Sequence, residues 1–305
     1  MKKIPFFILA VAAAFLFVLP AGAQEKPGSP RTLVFIGQDL DSVQTYVNKT
    51  KHVPDGFMVY TSIQELTGLE AAFDNGSGVQ HAQGLIDRYP GTQIQIGLYM
   101  VGALSDVVGG AYDVNILKLS QWLAKNSATT FYLRIGYEFD YPQNHYAPAA
   151  YISAYRYIVD RLRSQGVQNV LYVWHSYAGF VQGSRERWYP GDDYVDWVGL
   201  SFFEAYNRGN MDNIVRIART HNKPLMIAEA TPLGHNVKDG AKVWRLWYQK
   251  LFDFISARDV RILCYINWDW EKFPMFKGQG WGNGRVEENR FIKRQWLEHV
   301  AKNKK

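Results

Sequence analysis

Residues 130–138 read Thr-Phe-Tyr-Leu-Arg-Ile-Gly-Tyr-Glu, a short apolar run of strand-forming residues that closes on a glutamate. Residues 224–229, Pro-Leu-Met-Ile-Ala-Glu, repeat the arrangement about ninety residues later. A carboxylate at the end of a buried strand costs free energy unless it is hydrogen-bonded or used in chemistry. We therefore predict that Glu138 and Glu229 lie at the ends of two strands of one barrel and are functional residues.

Eight short runs of strand-forming residues, including these two, alternate with helix-like segments along the chain. Most of them are apolar throughout, which is typical of strands that are buried on both faces. The alternation predicts an α/β fold, a single (β/α)8 TIM barrel that occupies residues 32–305. The predicted strands are 33–38, 57–60, 93–100, 131–138, 170–175, 195–203, 225–229 and 261–268. The predicted helices are 78–89, 115–124, 147–163, 211–220 and 239–257.

The first 23 residues are predicted to be a signal peptide rather than a part of the barrel. Two lysines lie near the start, residues 4–19 are apolar, and Ala21-Gly-Ala23 has the small-x-small pattern of a signal-peptidase site. We expect cleavage after Ala23, a flexible lead-in over 24–31, and a periplasmic or secreted protein. A membrane anchor is the less favoured alternative, because the apolar run is short and ends in Pro20.

Composition narrows the choice of partners. Aromatic residues make up 15% of the chain, with 10 Trp and 19 Tyr, and either core packing or the stacking of sugar rings can use them. The net charge of +6 is too mild to indicate nucleic acid. Cys264 is the single cysteine, and the few histidines are scattered, so we expect no metal and no cofactor. The expected partner is a polysaccharide or oligosaccharide, with no membrane contact after cleavage, and the oligomeric state stays open.

Polar and aromatic side chains collect at the predicted C-terminal ends of the strands, where barrels of this type build their active sites. Each residue alone has a structural explanation, but the convergence of many on one rim is typical of a sugar-binding cleft. The residues predicted to bind substrate are Gln38, Tyr99, Arg134, Tyr137, Asp140, Trp174, His175, Phe203, Glu204, Tyr206, Trp268, Trp270 and Trp281. Other polar groups at these ends are Asp39, Tyr60, Ser201 and Asp269.

The two glutamates fit the carboxylate pair that cleaves a glycosidic bond. One carboxylic acid protonates the leaving oxygen, and the other acts as nucleophile or base. Burial and a facing carboxylate would raise the pKa of Glu138, as a proton donor needs, whereas Glu229 must stay ionised to attack. Arg134 precedes Glu138 by four residues and can donate a charge-assisted hydrogen bond to one of the carboxylates. Structural roles stay open for each: a plain ion pair for Arg134, a helix cap for Glu229, and a supporting hydrogen bond for His175.

Four segments together resemble glycoside hydrolase family 26, the family of mannanases, lichenases and β-1,3-xylanases. Residues 133–140, Leu-Arg-Ile-Gly-Tyr-Glu-Phe-Asp, resemble the acid/base segment of that family. Residues 170–175 and 194–201 resemble its strands five and six, and 223–230 resembles its nucleophile strand. The family belongs to the clan of retaining (β/α)8 glycosidases with glutamates on strands four and seven.

The resemblance implies a retaining double displacement in which Glu138 is the acid/base and Glu229 the nucleophile. Trp268 would match the strand-eight tryptophan beneath the sugar at the cleavage site. Tyr137 stands where the family usually has histidine, and Phe203 stands where a tyrosine usually contacts the nucleophile. These departures fall near the sugar 2-OH and the adjacent subsites, so they predict a relative with a different or unusual polysaccharide substrate.

The preferred function is an exported, retaining glycoside hydrolase that is endo-acting on a β-linked glycan. Two alternatives stay open: a non-catalytic glycan-binding barrel, and a transglycosylase or lyase that acts on an unusual or acidic glycan. A retaining enzyme should hold its two carboxyls roughly 5–5.5 Å apart, and an inverting one roughly 6.5–9.5 Å apart. The choice between endo and exo action depends on the loop over residues 269–285.

Overall fold

The computed structural model describes residues 31–205 and 207–302, and it confirms the predicted (β/α)8 barrel. Eight parallel strands follow one another around the barrel in chain order, and the last closes onto the first. The strands are β1 Leu33–Gly37, β2 Gly56–Ser62, β3 Gln93–Tyr99, β4 Phe131–Ile135, β5 Val170–Ser176, β6 Trp197–Phe202, β7 Leu225–Ala230 and β8 Val260–Ile266. The predicted signal peptide, residues 24–30 of the lead-in, and Tyr206 lie outside the described residues.

Helices surround the barrel and include all five predicted helices, with shifted ends. They are α1 Leu40–Thr50, α2 Ala82–Arg88, α3 Leu104–Val108, α4 Asp113–Lys125, α5 Pro148–Ser164, α6 Arg208–Thr220, α7 Ala241–Val243, α8 Gln249–Arg258 and α9 Arg290–Lys302. A π-helical stretch, Trp244–Tyr248, joins α7 to α8. Throughout the part of the chain that the structure describes, none of the helices has the length and apolar character needed to span a bilayer.

The fifth unit of the barrel departs from the regular pattern. Between β5 and β6 the chain forms two 3₁₀ turns, Arg185–Trp188 and Asp192–Tyr194, in place of an α-helix. A buried ion pair, Arg185 to Asp140 at 2.7 Å, ties this loop to the segment that follows β4. The loop is therefore anchored to its neighbour rather than packed on the barrel as a helix.

Two apolar cores follow from the alternation of side chains along the strands. One core fills the barrel interior, and Phe35, Met58, Val173, Met226 and Cys264 belong to it. The other lies between the strands and the helices, and it takes the alternate residues of each strand together with the apolar faces of the helices. A residue that faces inward near the C-terminal end of a strand consequently reaches the mouth of the barrel, and its chain neighbour does not.

β4 ends three residues earlier than predicted. The sequence predicts a strand that extends to Glu138, but the strand ends at Ile135. The next residue, Gly136, has a φ of +56°. A Cβ at Gly136 would lie 2.8 Å from Met100 Cε, so glycine suits both the left-handed backbone and the crowded space of this turn. Glu138 itself has a φ of +53° and lies on the turn above the barrel mouth, not on the strand.

Candidate active site

Glu229 enters the barrel mouth through an irregularity in β7. The register with β6 shifts so that Leu200 pairs with Ile227 whereas Ser201 pairs with Glu229. Ala228 belongs to the interior core, so strict alternation would turn the next residue outward. The inserted residue resets the alternation and directs the Glu229 carboxylate inward, as bulges beside active sites do.

Arg134 holds the carboxylate of Glu229. Its guanidinium is fully buried, and Nη1 donates to Oε1 of Glu229 in a charge-assisted pair. The Arg134 guanidinium carbon lies 5.0 Å from the ring centroids of both Tyr60 and Tyr137. Gly97 leaves room for this group, because a Cβ there would lie 2.7 Å from Arg134 Nη2. The sequence left either carboxylate possible as the partner of Arg134, and in the structure the partner is Glu229.

Glu138 has a different environment. It is partly exposed in the barrel mouth, and its Oε1 accepts a 2.6 Å hydrogen bond from the Ser201 hydroxyl. The backbone of the turn is held by Asn144, whose amide donates to the Glu138 carbonyl at 2.9 Å. Burial, followed by the negative charge of Glu229, raises the pKa of the Glu138 carboxyl well above its usual range, although Ser201 and Arg134 act in the opposite direction.

His175 connects the surroundings of the two glutamates. Its Nδ1 lies 3.2 Å from Arg134 Nη1, and its Nε2 lies 3.0 Å from the Ser201 hydroxyl oxygen. The ring is fully buried, and burial together with the positive charge of Arg134 lowers the pKa of His175 well below its usual range. A neutral His175 therefore lies between Arg134 and Ser201, as the predicted hydrogen-bonding role requires.

The two carboxyls are thus set apart chemically although they share one mouth. Glu229 is ion-paired with a buried guanidinium, whereas Glu138 has no cationic partner in contact among the residues that the structure describes and is biased toward its protonated form. A carboxyl with a raised pKa can serve as a proton donor in catalysis. The mouth therefore holds a proton-donor candidate, Glu138, beside an ion-paired carboxyl, Glu229.

Aromatic rings form a continuous wall on the β6–β8 side of the mouth. Trp281 is partly exposed, stacks on Trp270 with 4.4 Å between centroids, and meets the edge of Phe203 at 5.3 Å. Trp270 in turn lies 5.0 Å from Trp268. Trp281 thus carries the solvent-accessible part of this wall.

Trp268 does not have the exposed face that a sugar platform needs. It is only 1% exposed, and Phe273 from the loop after β8 stacks on it at 3.8 Å. Its indole nitrogen donates to Oδ2 of Asp39, the residue that caps α1. The sequence placed Trp268 correctly at the mouth but gave no sign that the following loop folds back over the ring.

Two other predicted substrate contacts are corrected by the structure. Trp174 faces the helix layer, where it is fully buried, stacks on Phe139 at 4.3 Å and donates to the Trp188 carbonyl at 3.1 Å. Because Trp174 and His175 are neighbours on one strand, only His175 can face inward. Asp140 is buried in its ion pair with Arg185, so its carboxylate is not available to a sugar.

Arg134 and His175, also predicted to bind substrate, are fully buried and bond to Glu229 and Ser201 instead. Tyr99, Gln38 and Glu204 stay candidates for substrate contact. Tyr99 is 40% exposed and packs near Tyr137, with 6.4 Å between the ring centroids. Gln38 is buried at the end of β1, and its amide lies 3.4 Å from the Ser77 carbonyl oxygen. Glu204 is partly exposed just beyond β6.

Ser201 and Gly97 were not assigned to the site from the sequence. Ser201 was noted only as a polar group at a strand end, although it lies two residues before Phe203 and so shares its inward face. That two-residue spacing is the feature of the sequence from which Ser201 could have been assigned to the site. Nothing in the sequence marks Gly97, since the need for a glycine there arises from Arg134 and Tyr60, which come from two other strands.

Comparison with known proteins gives the chain its family. A family model described as glycosyl hydrolase family 26 matches residues 136–261. The β-1,3-xylanase TXYA of Vibrio sp is 32% identical over 298 residues, which cover 88% of this chain and 64% of the relative. A β-1,3-xylanase of Alcaligenes sp is 31% identical over 328 residues, which cover 98% of this chain and 70% of the relative. The chain thus spans about two thirds of the length of these relatives.

Solved structures share the fold at low sequence identity. A GH26 β-mannanase from Bacteroides ovatus superposes with a TM-score of 0.64 and 16% identity over 90% of this chain and 89% of that one. The catalytic domain of a GH26 endo-β-1,4-mannanase from Bacillus sp. JAMB-750 superposes with a TM-score of 0.63 and 16% identity over 88% and 86%. From the sequence relationship and the barrel together, the chain belongs to glycosyl hydrolase family 26.

Proposed function

We propose that the protein is a retaining glycoside hydrolase that cleaves a β-linked polysaccharide, with Glu229 as nucleophile and Glu138 as acid/base. The observation that carries the proposal is the difference between the two carboxyls at one barrel mouth. Glu229 is ion-paired with buried Arg134, and Glu138 has a pKa raised by burial and by the charge of Glu229. A binding barrel has no need for such a pair.

The proposed reaction has two steps. The Glu229 carboxylate attacks the anomeric carbon, while the proton of Glu138 passes to the glycosidic oxygen and the leaving chain departs. The ester that forms on Glu229 is then cleaved by a water molecule. Glu138, now a carboxylate, takes a proton from that water, whose oxygen bonds to the anomeric carbon and frees Glu229. Two displacements restore the starting configuration.

β-1,3-xylan is the first substrate to test. Two β-1,3-xylanases are 32% and 31% identical to this chain, whereas the GH26 mannanase structures of Bacteroides ovatus and Bacillus sp. JAMB-750 are each 16% identical to it. β-1,4-mannan is the second candidate, because the barrel superposes on those mannanases. We propose endo action on either glycan.

Export is a further part of the proposed function. The positive start, the apolar stretch and the small-x-small pattern within residues 1–23 support a cleavable signal peptide. The catalytic barrel would then begin near residue 32. A periplasmic or secreted site of action would bring the enzyme to a polysaccharide outside the cell.

Product analysis tests the proposal. The protein is incubated with β-1,3-xylan, β-1,4-mannan, mixed-linkage glucan and an acidic polysaccharide, with Glu229→Gln as control. Oligosaccharides with reducing ends, absent in the control, support hydrolysis and identify the sugar. An unsaturated end would indicate a lyase, and lengthened chains a transglycosylase. Binding without products, equal in the wild type and the variant, would indicate a glycan-binding barrel.

A further inference from the structure

A row of three hydrogen bonds joins Arg134 to Glu138 across the floor of the mouth. Arg134 Nη1 lies 3.2 Å from His175 Nδ1, His175 Nε2 lies 3.0 Å from the Ser201 hydroxyl oxygen, and that hydroxyl lies 2.6 Å from Glu138 Oε1. His175 is 0% exposed and Ser201 2% exposed. The row is therefore shielded from water over its central part.

Only one direction of donation satisfies every member of this row. Arg134 can only donate, so His175 Nδ1 must accept, and the single proton of the neutral ring sits on Nε2. That N–H donates to the Ser201 oxygen, because Arg134 already occupies the other nitrogen. The one hydroxyl proton of Ser201 is then left for Oε1 of Glu138. Arg134 thus fixes the tautomer of His175, and through it the direction of the Ser201 hydroxyl.

We propose that Ser201 and His175 are positioning residues that keep the catalytic proton on Oε2 of Glu138. This inference rests on the proposed function of Glu138 as the acid/base. In a carboxylic acid, the carbonyl oxygen is a better hydrogen-bond acceptor than the hydroxyl oxygen. Because Ser201 donates to Oε1, Oε1 takes the carbonyl role and the acidic proton resides on Oε2, the oxygen left free for the substrate. After that proton has been transferred, the same hydrogen bond stabilises the carboxylate.

His175 keeps its directing role over the working pH range. Burial and the charge of Arg134 lower its pKa, so the ring stays neutral with Nδ1 free to accept. The Ser201 hydrogen bond favours the ionised form of Glu138 and so lowers the pKa of that carboxyl. The other titratable groups that face the carboxyl or titrate beside it are Glu229, Arg134, Asp140, Tyr137 and Tyr177. None of them is removed by a substitution at Ser201.

The first test is the pH dependence of kcat/KM for glycan hydrolysis in Ser201→Ala. Loss of the hydrogen bond to the carboxylate should raise the pKa of Glu138 and move the alkaline limb upward by about one pH unit. Ser201→Thr, which keeps the hydroxyl, should restore the wild-type limb. Ser120→Ala is the matched control, since it removes a buried hydroxyl that donates to the Leu117 carbonyl within α4, away from the mouth. An unshifted limb in folded Ser201→Ala would overturn the proposal.

The second test compares substrates that differ in their need for the acid. Ser201→Ala should slow the cleavage of the glycan by about tenfold, a part of what general acid catalysis contributes. The first step on a dinitrophenyl glycoside, whose leaving group needs no proton, should stay close to the wild-type rate. Equal losses on both substrates would point to a merely structural role and would count against positioning.

The role of His175 is tested by two substitutions of its ring. Gln at this position can accept from Arg134 and donate to Ser201, so His175→Gln should keep the alkaline limb near its wild-type position. Leucine can do neither, so in His175→Leu the alkaline limb of kcat/KM should move upward, as in Ser201→Ala. A limb that stays in place in His175→Leu would remove His175 from the proposal.

A measurement without substrate separates this inference from the proposed function. Carboxyl ¹³C titration by NMR, with the Glu138 resonance assigned by its loss in Glu138→Gln, gives the pKa of Glu138 in the wild type and in Ser201→Ala. A higher pKa in Ser201→Ala supports the hydrogen bond even if every glycan proves inert, in which case only the proposed function fails. An active wild type with the same Glu138 pKa in both proteins would overturn the positioning role alone.

Discussion

Single neighbours decide what each carboxyl at the mouth can do. Arg134 is buried against two tyrosine rings and donates to Glu229, so the guanidinium orients the carboxylate of the nucleophile candidate. Glu138 accepts from Ser201, no cation within 31–205 or 207–302 contacts it, and burial disfavours its charge. The difference in environment between these two chemically identical side chains therefore comes from their partners, not from their positions in the sequence.

The first prediction concerns the ion pair of Arg134 with Glu229. Arg134→Met leaves a buried carboxylate without its partner and should lower the free energy of unfolding by about 3–5 kcal/mol. Urea denaturation followed by circular dichroism measures the loss. Arg134→Met combined with Glu229→Gln should recover most of it, because no charge is then left buried. A double variant as unstable as the single one would show that the charge pair is not the cause.

The second prediction is a pH profile set by Glu138. Since the acid must be protonated, activity is kept below the raised pKa of Glu138 and is lost as the pH rises through it. The alkaline limb of kcat/KM should accordingly lie well above the usual glutamate range. On a dinitrophenyl glycoside, whose leaving group needs no proton, the wild-type enzyme should show no such limb in kcat/KM. A limb that persists on that substrate would have to be assigned to another group.

At the level of the strands, the sequence predicted the existence, order and type of every barrel strand but not their ends. The turn at Gly136 and the bulge in β7 both depend on how neighbouring strands pack. Period-two alternation alone would have turned Glu229 outward after Ala228, and the pairings of β7 with β6 and with β8 show the reset. The same alternation shows that Trp174 and His175 cannot both face inward, and the structure shows that His175 does.

The third prediction concerns the ion pair that joins the segments after β4 and β5. Asp140→Asn removes the charge that holds Arg185, so it should destabilise the fold by about 3–5 kcal/mol and expose the 177–190 loop to protease. Limited proteolysis and urea denaturation report both effects. Asp212→Asn, which breaks the more exposed pair with Arg258, is the control and should change stability by about 0–1 kcal/mol. A stable Asp140→Asn with weakened glycan binding would favour the original prediction of a substrate contact.

For the whole molecule, the barrel brings eight strand ends to one mouth, and this explains why so many polar residues could be found from the sequence. The family relationship and the fold agree, since the family model and the relatives with 31–32% identity give the family, and the mannanase structures share the barrel. The sequence could not show that Phe273 stacks on Trp268 and covers its ring. Phe273 reaches it from a loop whose path depends on contacts with the rest of the mouth.

The fourth prediction concerns export of the whole chain. In a Gram-negative host with its signal peptidase active, the mature protein should begin at Gln24, because cleavage is expected after Ala23. Intact-mass measurement of the protein from the periplasm or medium gives its N-terminus. Protein found only inside the cells, with residues 1–23 still attached, would contradict the predicted signal peptide.

The central claim is that Glu229 and Glu138 act by double displacement, and the configuration of the first product tests it most directly. The protein is mixed with the β-linked glycan that it cleaves, and ¹H NMR follows the anomeric proton of the new reducing end before mutarotation. The account predicts that the β-anomer appears first and that the α-anomer grows in only by mutarotation. An α-anomer that appears first would mean inversion and would contradict the assignment of Glu229 as nucleophile.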